Sequence, residues 1–435
     1  MIRAYNAAFP VLVFLAIAWP NYWLFPTSLG MAISPFSALT LAMLAIFVFS
    51  LTEPRIRSHV ASTIGRHRAI VLLYLAWISW RLISDILGQT PQQSIAITLR
   101  NVVYGESILL LGLIALPRQK TSGTIPFVLL LALVAATLVG LYEWSVERPL
   151  ADIFGIGFSG LSAEAMFNAT RQATAFYRDG AYRTASLFSH SIVFAQYYGA
   201  MAPLALHLCR FGHGPTRLLG VIALCCIPVA LMISGARSGI VVLIVALLAY
   251  ALLTLLGHRT TPKRLVASLV GLGLIALLLA SPLQGMVDQL IRGDTIAEQM
   301  STNVRTEMLA NGLRALEQRP LTGYGDGRSP DIAGLVGRHN IRTIDNFYLS
   351  AAVDFGLIGL VLLCGLLAAA TATMAAGIGN ATSAADRNLQ SAYLATALAI
   401  LVGQTVLTIP DNMTIIYLLL GLAATRAASS PATAP

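Results

Sequence analysis

Apolar runs near the ~20 residues needed to cross a hydrocarbon core recur along the whole chain, separated by polar segments. They predict spans at 8–26, 30–52, 69–88, 95–116, 124–145, 185–208, 216–233, 236–257, 264–281, 346–376, 389–409 and 412–430. About twelve transmembrane helices make this an all-α polytopic membrane protein. Two long polar segments interrupt the pattern, 146–184 and 282–345, the second lying between helices nine and ten. The chain thus divides into spans one to five (1–145), a first polar segment (146–184), spans six to nine (185–281), a large loop (282–345), spans ten to twelve (346–430) and a tail (431–435). The stretch from Met1 to about Pro26 lacks a small-residue cleavage site at its polar boundary and reads as a retained first helix.

Charge sets the orientation. Only 11% of residues are charged and 57% are hydrophobic, whereas a soluble domain carries roughly a quarter charged residues. With Arg3 in the cytoplasm, the short basic loops fall on the same side. They carry Arg55, Arg57, Arg66 and Arg68; Arg118 and Lys120; Arg210 and Arg217; Arg259, Lys263 and Arg264; Arg387; and finally Arg426. This is the positive-inside pattern, and it puts both long polar segments outside. The net charge of +9 is therefore topogenic and implies no nucleic-acid partner. All four cysteines lie in or beside apolar spans, with neither a disulfide framework nor zinc spacing.

Candidate chemistry gathers toward the outer side. Arg81, Asp85, Arg100 and Glu106 sit in spans three and four, where charge is costly; they read either as a buried ion-pair network or as substrate contacts. Four further patterns follow. Tyr182-Arg183 to His190 leads into span six, and helical spacing would put Arg183 and His190 on one face. Ser234-Gly-Ala-Arg237-Ser-Gly239 is a tight turn whose amides and Arg237 suit an anion. Residues 302–319 predict an amphipathic helix with Thr302 as N-cap, Arg305 near its start and Pro320 as its stop; a glycine-rich loop holding Tyr324 follows. Lastly, Arg338-His339-Asn340 precedes Asp345-Asn346-Phe-Tyr348, which enters span ten, where Asp345 is either a functional carboxylate or an N-cap. His190 and His339 have equally plain readings, as a hydrogen-bonded helix residue and a solvated loop residue.

In these four patterns the chain resembles the O-antigen ligase/polymerase superfamily, most strongly over about 180–365. The resemblance implies a GT-C-like, periplasm-facing glycosyltransferase of the bacterial inner membrane that uses a glycan on undecaprenyl pyrophosphate. Arg183, Arg237 and Arg305 would hold the pyrophosphate, with His190, Tyr324 and Asn346 as further substrate contacts, and Asp345 or His339 would be the general base. Arg offers a planar fork for phosphate oxygens, and can neutralise the leaving group without a metal; no cofactor is expected. Ligases of the superfamily carry His eleven residues before a glycine, where this chain has Asp345 before Gly356. The departure favours polymerisation of repeats into exopolysaccharide or O-antigen, with an acceptor glycan and a chain-length regulator as partners. Ligation to lipid A core or protein is the alternative, and a lipid-glycan flippase or transporter a third.

Overall fold

A computed structural model describes residues 2–19, 25–26, 32–115, 123–149, 177–178, 181–256, 296–336, 342–405 and 410–427. The predicted ninth span, most of segment 146–184 and His339 lie outside the described residues. The fold is all-α. Its helices are α1 (Ile2–Ala18), α2 (Pro35–Ser50), α3 (Pro54–Arg66), α4 (Arg68–Leu87), α5 (Pro91–Asn101), α6 (Ser107–Ala115), α7 (Thr124–Val146), α8 (Ser191–Phe211), α9 (Pro215–Ser234), α10 (Arg237–Leu256), α11 (Ile296–Gln318), α12 (Ser329–Ala333), α13 (Phe347–Gly379), α14 (Ala384–Gly403) and α15 (Pro410–Ala427). One π-helical turn, Val102–Glu106, joins α5 to α6.

Seven stretches among the described residues are long and apolar enough to cross a membrane: 68–87, 91–112, 124–146, 191–211, 215–234, 237–255 and 347–379. Each coincides with a predicted span to within a few residues at most ends. The remaining predicted spans fall on shorter apolar helices (7–18, 35–50 and 413–422), on α14, and on 264–281. Helix α14 is less apolar because its first turns carry Asp386, Arg387, Asn388 and Gln390.

Helix α8 is the hub, packed against α7, α9, α10 and α14. Its surface faces protein rather than lipid, so it tolerates Gln196, Tyr197, Tyr198 and His207, all buried. Small residues let it approach α10 closely. A Cβ on Gly199 would lie 2.8 Å from the Leu243 backbone nitrogen, and one on Gly239 would lie 2.6 Å from the Ala195 Cβ. Such small-residue crossings replace the hydrophobic drive that is missing between helices in lipid.

Helix α13 is broken at Gly356, whose φ of 70° and ψ of −177° leave the helical region. The break frees carbonyls that cannot go unpaired at membrane depth. The glycine-rich loop after α11 supplies their partners. The Tyr324 N–H lies 3.1 Å from the carbonyls of Val353 and Asp354, and the Gly325 N–H donates to Asp354 at 2.8 Å. Trp80 Nε1 donates to the Phe355 carbonyl at 2.8 Å and Ser84 Oγ to the Asp354 carbonyl at 3.0 Å. Gly323, Gly325 and Gly327 all have positive φ (67°, 99° and 78°), a conformation that costs other residues. This loop is therefore a docking element for α13.

Candidate functional site

The residues 181–190 form no helix. Tyr177–Arg178 pairs antiparallel with Ala181–Tyr182, and the chain then runs as an extended strap in which Ser186 takes a positive φ of 53°. The helical spacing expected between Arg183 and His190 is thus replaced by a strap laid along the bundle. Thr184 N–H donates to the Ile233 carbonyl at 3.1 Å. Arg183 Nε donates to the Ser234 carbonyl at 3.0 Å, and its stem crosses Gly235, where a Cβ would lie 3.5 Å from the Arg183 Cγ. Gly235 can host this crossing because it caps α9 in the left-handed conformation, with φ 57° and ψ 21°. Arg183 and the Arg237 turn, separate in sequence, are one structural unit.

His190 caps α8. Its Nδ1 accepts from the Ile192 N–H at 3.1 Å, so the neutral ring carries its proton on Nε2 as a donor. Burial, with the nearby positive charge of Arg183, lowers its pKa to about 4. It is neutral at physiological pH.

Arg305 lies on α11, which begins at Ile296, so Thr302 is not its N-cap and Arg305 stands in the third turn. Ile296-Ala-Glu-Gln-Met contains no helix breaker, which lets the helix extend upstream. Its buried face is Met308, Gly312 and Ala315, whereas Leu309 and Leu313 are exposed. A Cβ on Gly312 would meet Leu349 Cδ1 at 2.7 Å, so α11 lies close over the start of α13. Arg305 Nε is buried and lacks a hydrogen-bond partner among the described residues.

Asp345 and Asn346 divide the duties that sequence left open. Asn346 is the N-cap of α13: its Oδ1 accepts from the Leu349 N–H at 3.0 Å. Asp345 therefore does not cap the helix. Burial pushes its carboxyl above the ordinary carboxylate range, and the charge of Arg305 pulls it part of the way back. The Phe347 N–H donates to the Gln404 carbonyl at 3.0 Å, and the neighbouring Gly403 carbonyl accepts from Gln196 Nε2 at 3.3 Å. This chain of contacts sets the starts of α8 and α13 and the end of α14 at one end of the bundle. Gly403 also approaches Val242 of α10. Arg183, His190, Arg237 and Asp345 share that end.

Tyr324, expected from the resemblance as a substrate contact, packs inward in this structure. It is buried with Ala315, Ala333, Ile344 and Val353, and its hydroxyl lies 3.1 Å from both the Ala315 carbonyl and Gln318 Oε1. The loop beyond it closes the charged cluster of spans three and four. Arg81 pairs with Glu106 and with Asp326. Asp326 also accepts from Thr98 Oγ1 at 2.9 Å, and its N–H donates to Asp85 Oδ1 at 2.8 Å. Arg100 is exposed and stands apart. Sequence reading found three members of this cluster but not Asp326, 245 positions from Arg81. It also missed Glu143, buried in α7, whose carboxylate accepts from Tyr182; a lone acid in an apolar run was the available signal.

These features define a multi-pass membrane protein with a charged, arginine-bearing end. The family model described as O-Antigen ligase matches residues 221–364. That stretch is roughly a third of the chain, and over it the protein is similar to the O-antigen ligase/polymerase superfamily. It includes Arg237, Arg305, Tyr324, His339, Asp345 and Asn346, whereas Arg183 and His190 precede it. No curated protein matches the chain.

Proposed function

We propose that this protein is a glycosyltransferase of the bacterial inner membrane that polymerises undecaprenyl-pyrophosphate-linked repeats at the periplasmic face. The family match supports an enzyme of the ligase/polymerase type. The observation that carries the finer reading is Asp345, a partly buried carboxyl relieved of capping by Asn346 and lying within the electrostatic influence of Arg305. An acceptor-sugar hydroxyl attacks the anomeric carbon of the donor, the bond to the pyrophosphate oxygen breaks, and Asp345 takes the hydroxyl proton. A buried carboxyl with a raised pKa is a better base than an exposed one. Arg183, Arg237 and Arg305 bind the pyrophosphate and neutralise the charge developing on it, so no metal is needed. The donor arrives activated because the periplasm supplies neither ATP nor nucleotide sugars. A GT-C-like arrangement of twelve spans, with 282–345 outside, gives this end of the bundle to the periplasm.

Ligation to lipid A core is the second reading, favoured by the matched family's description as an O-antigen ligase. A deletion strain distinguishes the two: single lipid-linked repeats accumulate when a polymerase is missing, full-length lipid-linked chains when a ligase is missing. Asp345→Asn tests the base. Because Asn346 supplies the cap, this substitution leaves the start of α13 intact and removes the proton acceptor. Folded, inserted protein that has lost turnover by roughly 100-fold or more is expected. Turnover within a few-fold of the parent protein would remove Asp345 from the mechanism.

A further inference from the structure

Glu143 sits at the last turn of α7 with only 1% of its surface exposed. Burying a carboxylate is expensive unless its oxygens are satisfied. Among the described residues its partners are not a cation. The Tyr182 hydroxyl donates to Oε1 at 2.8 Å and the Ala185 N–H donates to the same oxygen at 3.0 Å. These two donors bracket Arg183 in the strap. The strap is gripped further along by Ser186 Oγ, which donates to the Ala136 carbonyl at 2.6 Å. Gly140, one turn before Glu143, leaves the groove into which the strap settles; a Cβ there would lie 3.3 Å from both Ser186 Cβ and Thr184 Cγ2. On the opposite flank, Thr184 and Arg183 bond to the Ile233 and Ser234 carbonyls at the end of α9. Arg183 is thus set between two helices by bonds that engage its neighbours on one side and its Nε on the other.

We propose that Glu143 is a positioning residue: by holding Tyr182 and Ala185 it fixes the strap so that Arg183 meets the pyrophosphate beside the Arg237 turn. The proposal rests on the pyrophosphate role given above to Arg183. A carboxylate bonded directly to the arginine would compete with an anionic ligand. One that grips the chain on either side sets the direction of the guanidinium and does not neutralise it.

The test is binding of undecaprenyl pyrophosphate to the purified full-length protein in detergent micelles, measured by titration calorimetry. Glu143→Ala is expected to raise Kd roughly tenfold, as loss of two bonds to a charged group implies. Glu143→Gln, which keeps an oxygen able to accept both bonds, should leave Kd within about 1.5-fold of the parent. Arg183→Ala should weaken binding at least about tenfold, and adding Glu143→Ala to it should weaken it no further, because a residue acting through Arg183 has nothing left to position. Normal binding by Arg183→Ala sinks the pyrophosphate reading itself. Weak binding by Arg183→Ala, together with normal binding by Glu143→Ala or a full additional loss in the double variant, overturns the role of Glu143 alone. If Glu143→Ala does not fold, Tyr182→Phe takes its place. It removes one bond, should raise Kd about threefold, and should have no effect in the Arg183→Ala background; an unchanged Kd in the parent background refutes the proposal.

Discussion

Replacing Asp326 by alanine should open the docking of the glycine-rich loop. The carboxylate is about nine-tenths buried and receives Arg81 and the Thr98 hydroxyl, the latter at 2.9 Å. Removing one partner of a buried ion pair costs ~3–5 kcal/mol. Arg81 keeps Glu106 as a counter-charge, and the backbone of residue 326 keeps its bonds to Asp85 and Ser94. The lower end, ~3 kcal/mol, is therefore expected. Asp326→Asn keeps an oxygen acceptor but loses the charge, and should cost roughly half as much. Thr98→Val deletes a single hydrogen bond and should cost ~1 kcal/mol. Reversible unfolding of the purified variants in mixed micelles, titrated with a denaturing detergent, reads the order directly. Because the pair is screened from solvent, a tenfold or so rise in ionic strength should barely change it. A loss below ~1 kcal/mol for Asp326→Ala, or a valine at 98 as damaging as an alanine at 326, would refute the latch.

Gly356→Ala should destabilise by at least ~3 kcal/mol, since its φ of 70° with ψ of −177° belongs to glycine and a Cβ would strike the Leu321 carbonyl; the same titration checks it. Arg237→Lys should lower kcat/KM for the lipid-linked donor roughly tenfold, with a fall in kcat as well as a rise in KM, because a point charge cannot reproduce a planar two-bond contact to the leaving group. Arg305 lowers the pKa of Asp345 against the effect of burial. Arg305→Ala should therefore move the acid limb of the kcat profile to higher pH, whereas Arg305→Lys should leave it near the parent position. Identical limbs in all three proteins would separate Arg305 from Asp345.

Much of the bundle was legible because apolar run length reports directly on membrane thickness. Spans such as 69–88 and 124–145 agree with α4 and α7 within one residue at each end. Local periodicity served less well where tertiary partners decide the backbone. Arg183 and His190 have helical spacing, yet bonds from the strap to Glu143, Ala136 and Ile233 replace those of a helix. Asp345 and Asn346 are adjacent and either could cap a helix; only the geometry assigns the cap to Asn346. The glycines at 323, 325 and 327 signalled an unusual backbone, but not that its amides would serve carbonyls released about 30 residues later at the break of α13. Tyr324 is expected as a substrate contact from the resemblance of its glycine-rich run, and sequence alone carries no sign of its packing. Here its ring fills the small core beneath that loop.

The break at Gly356 joins these parts into one mechanical unit. Residues before it, Phe347–Phe355, form a short helix whose direction is not dictated by the rest of α13. Their last carbonyls are held by the loop and by Trp80 and Ser84, and the Asp354 carboxylate accepts the Ser329 N–H at the start of α12 at 2.6 Å. Their first residue is held by Gln404, and Leu349 lies against Gly312 of α11. Asp345 thus stands at the tip of a segment fixed at both ends, beneath the helix that carries Arg305. The buried polar interactions, from Arg81 through Asp326 to the kink, are costly to bury and are arranged as the support of that tip. The arginines proposed to bind the pyrophosphate, at 183 and 237, rest on a separate support, α7 and α9. Loosening the Asp326 latch should therefore disturb Asp345 and Arg305 before it disturbs Arg183 and Arg237, lowering kcat in proteins that still bind undecaprenyl pyrophosphate through the second pair.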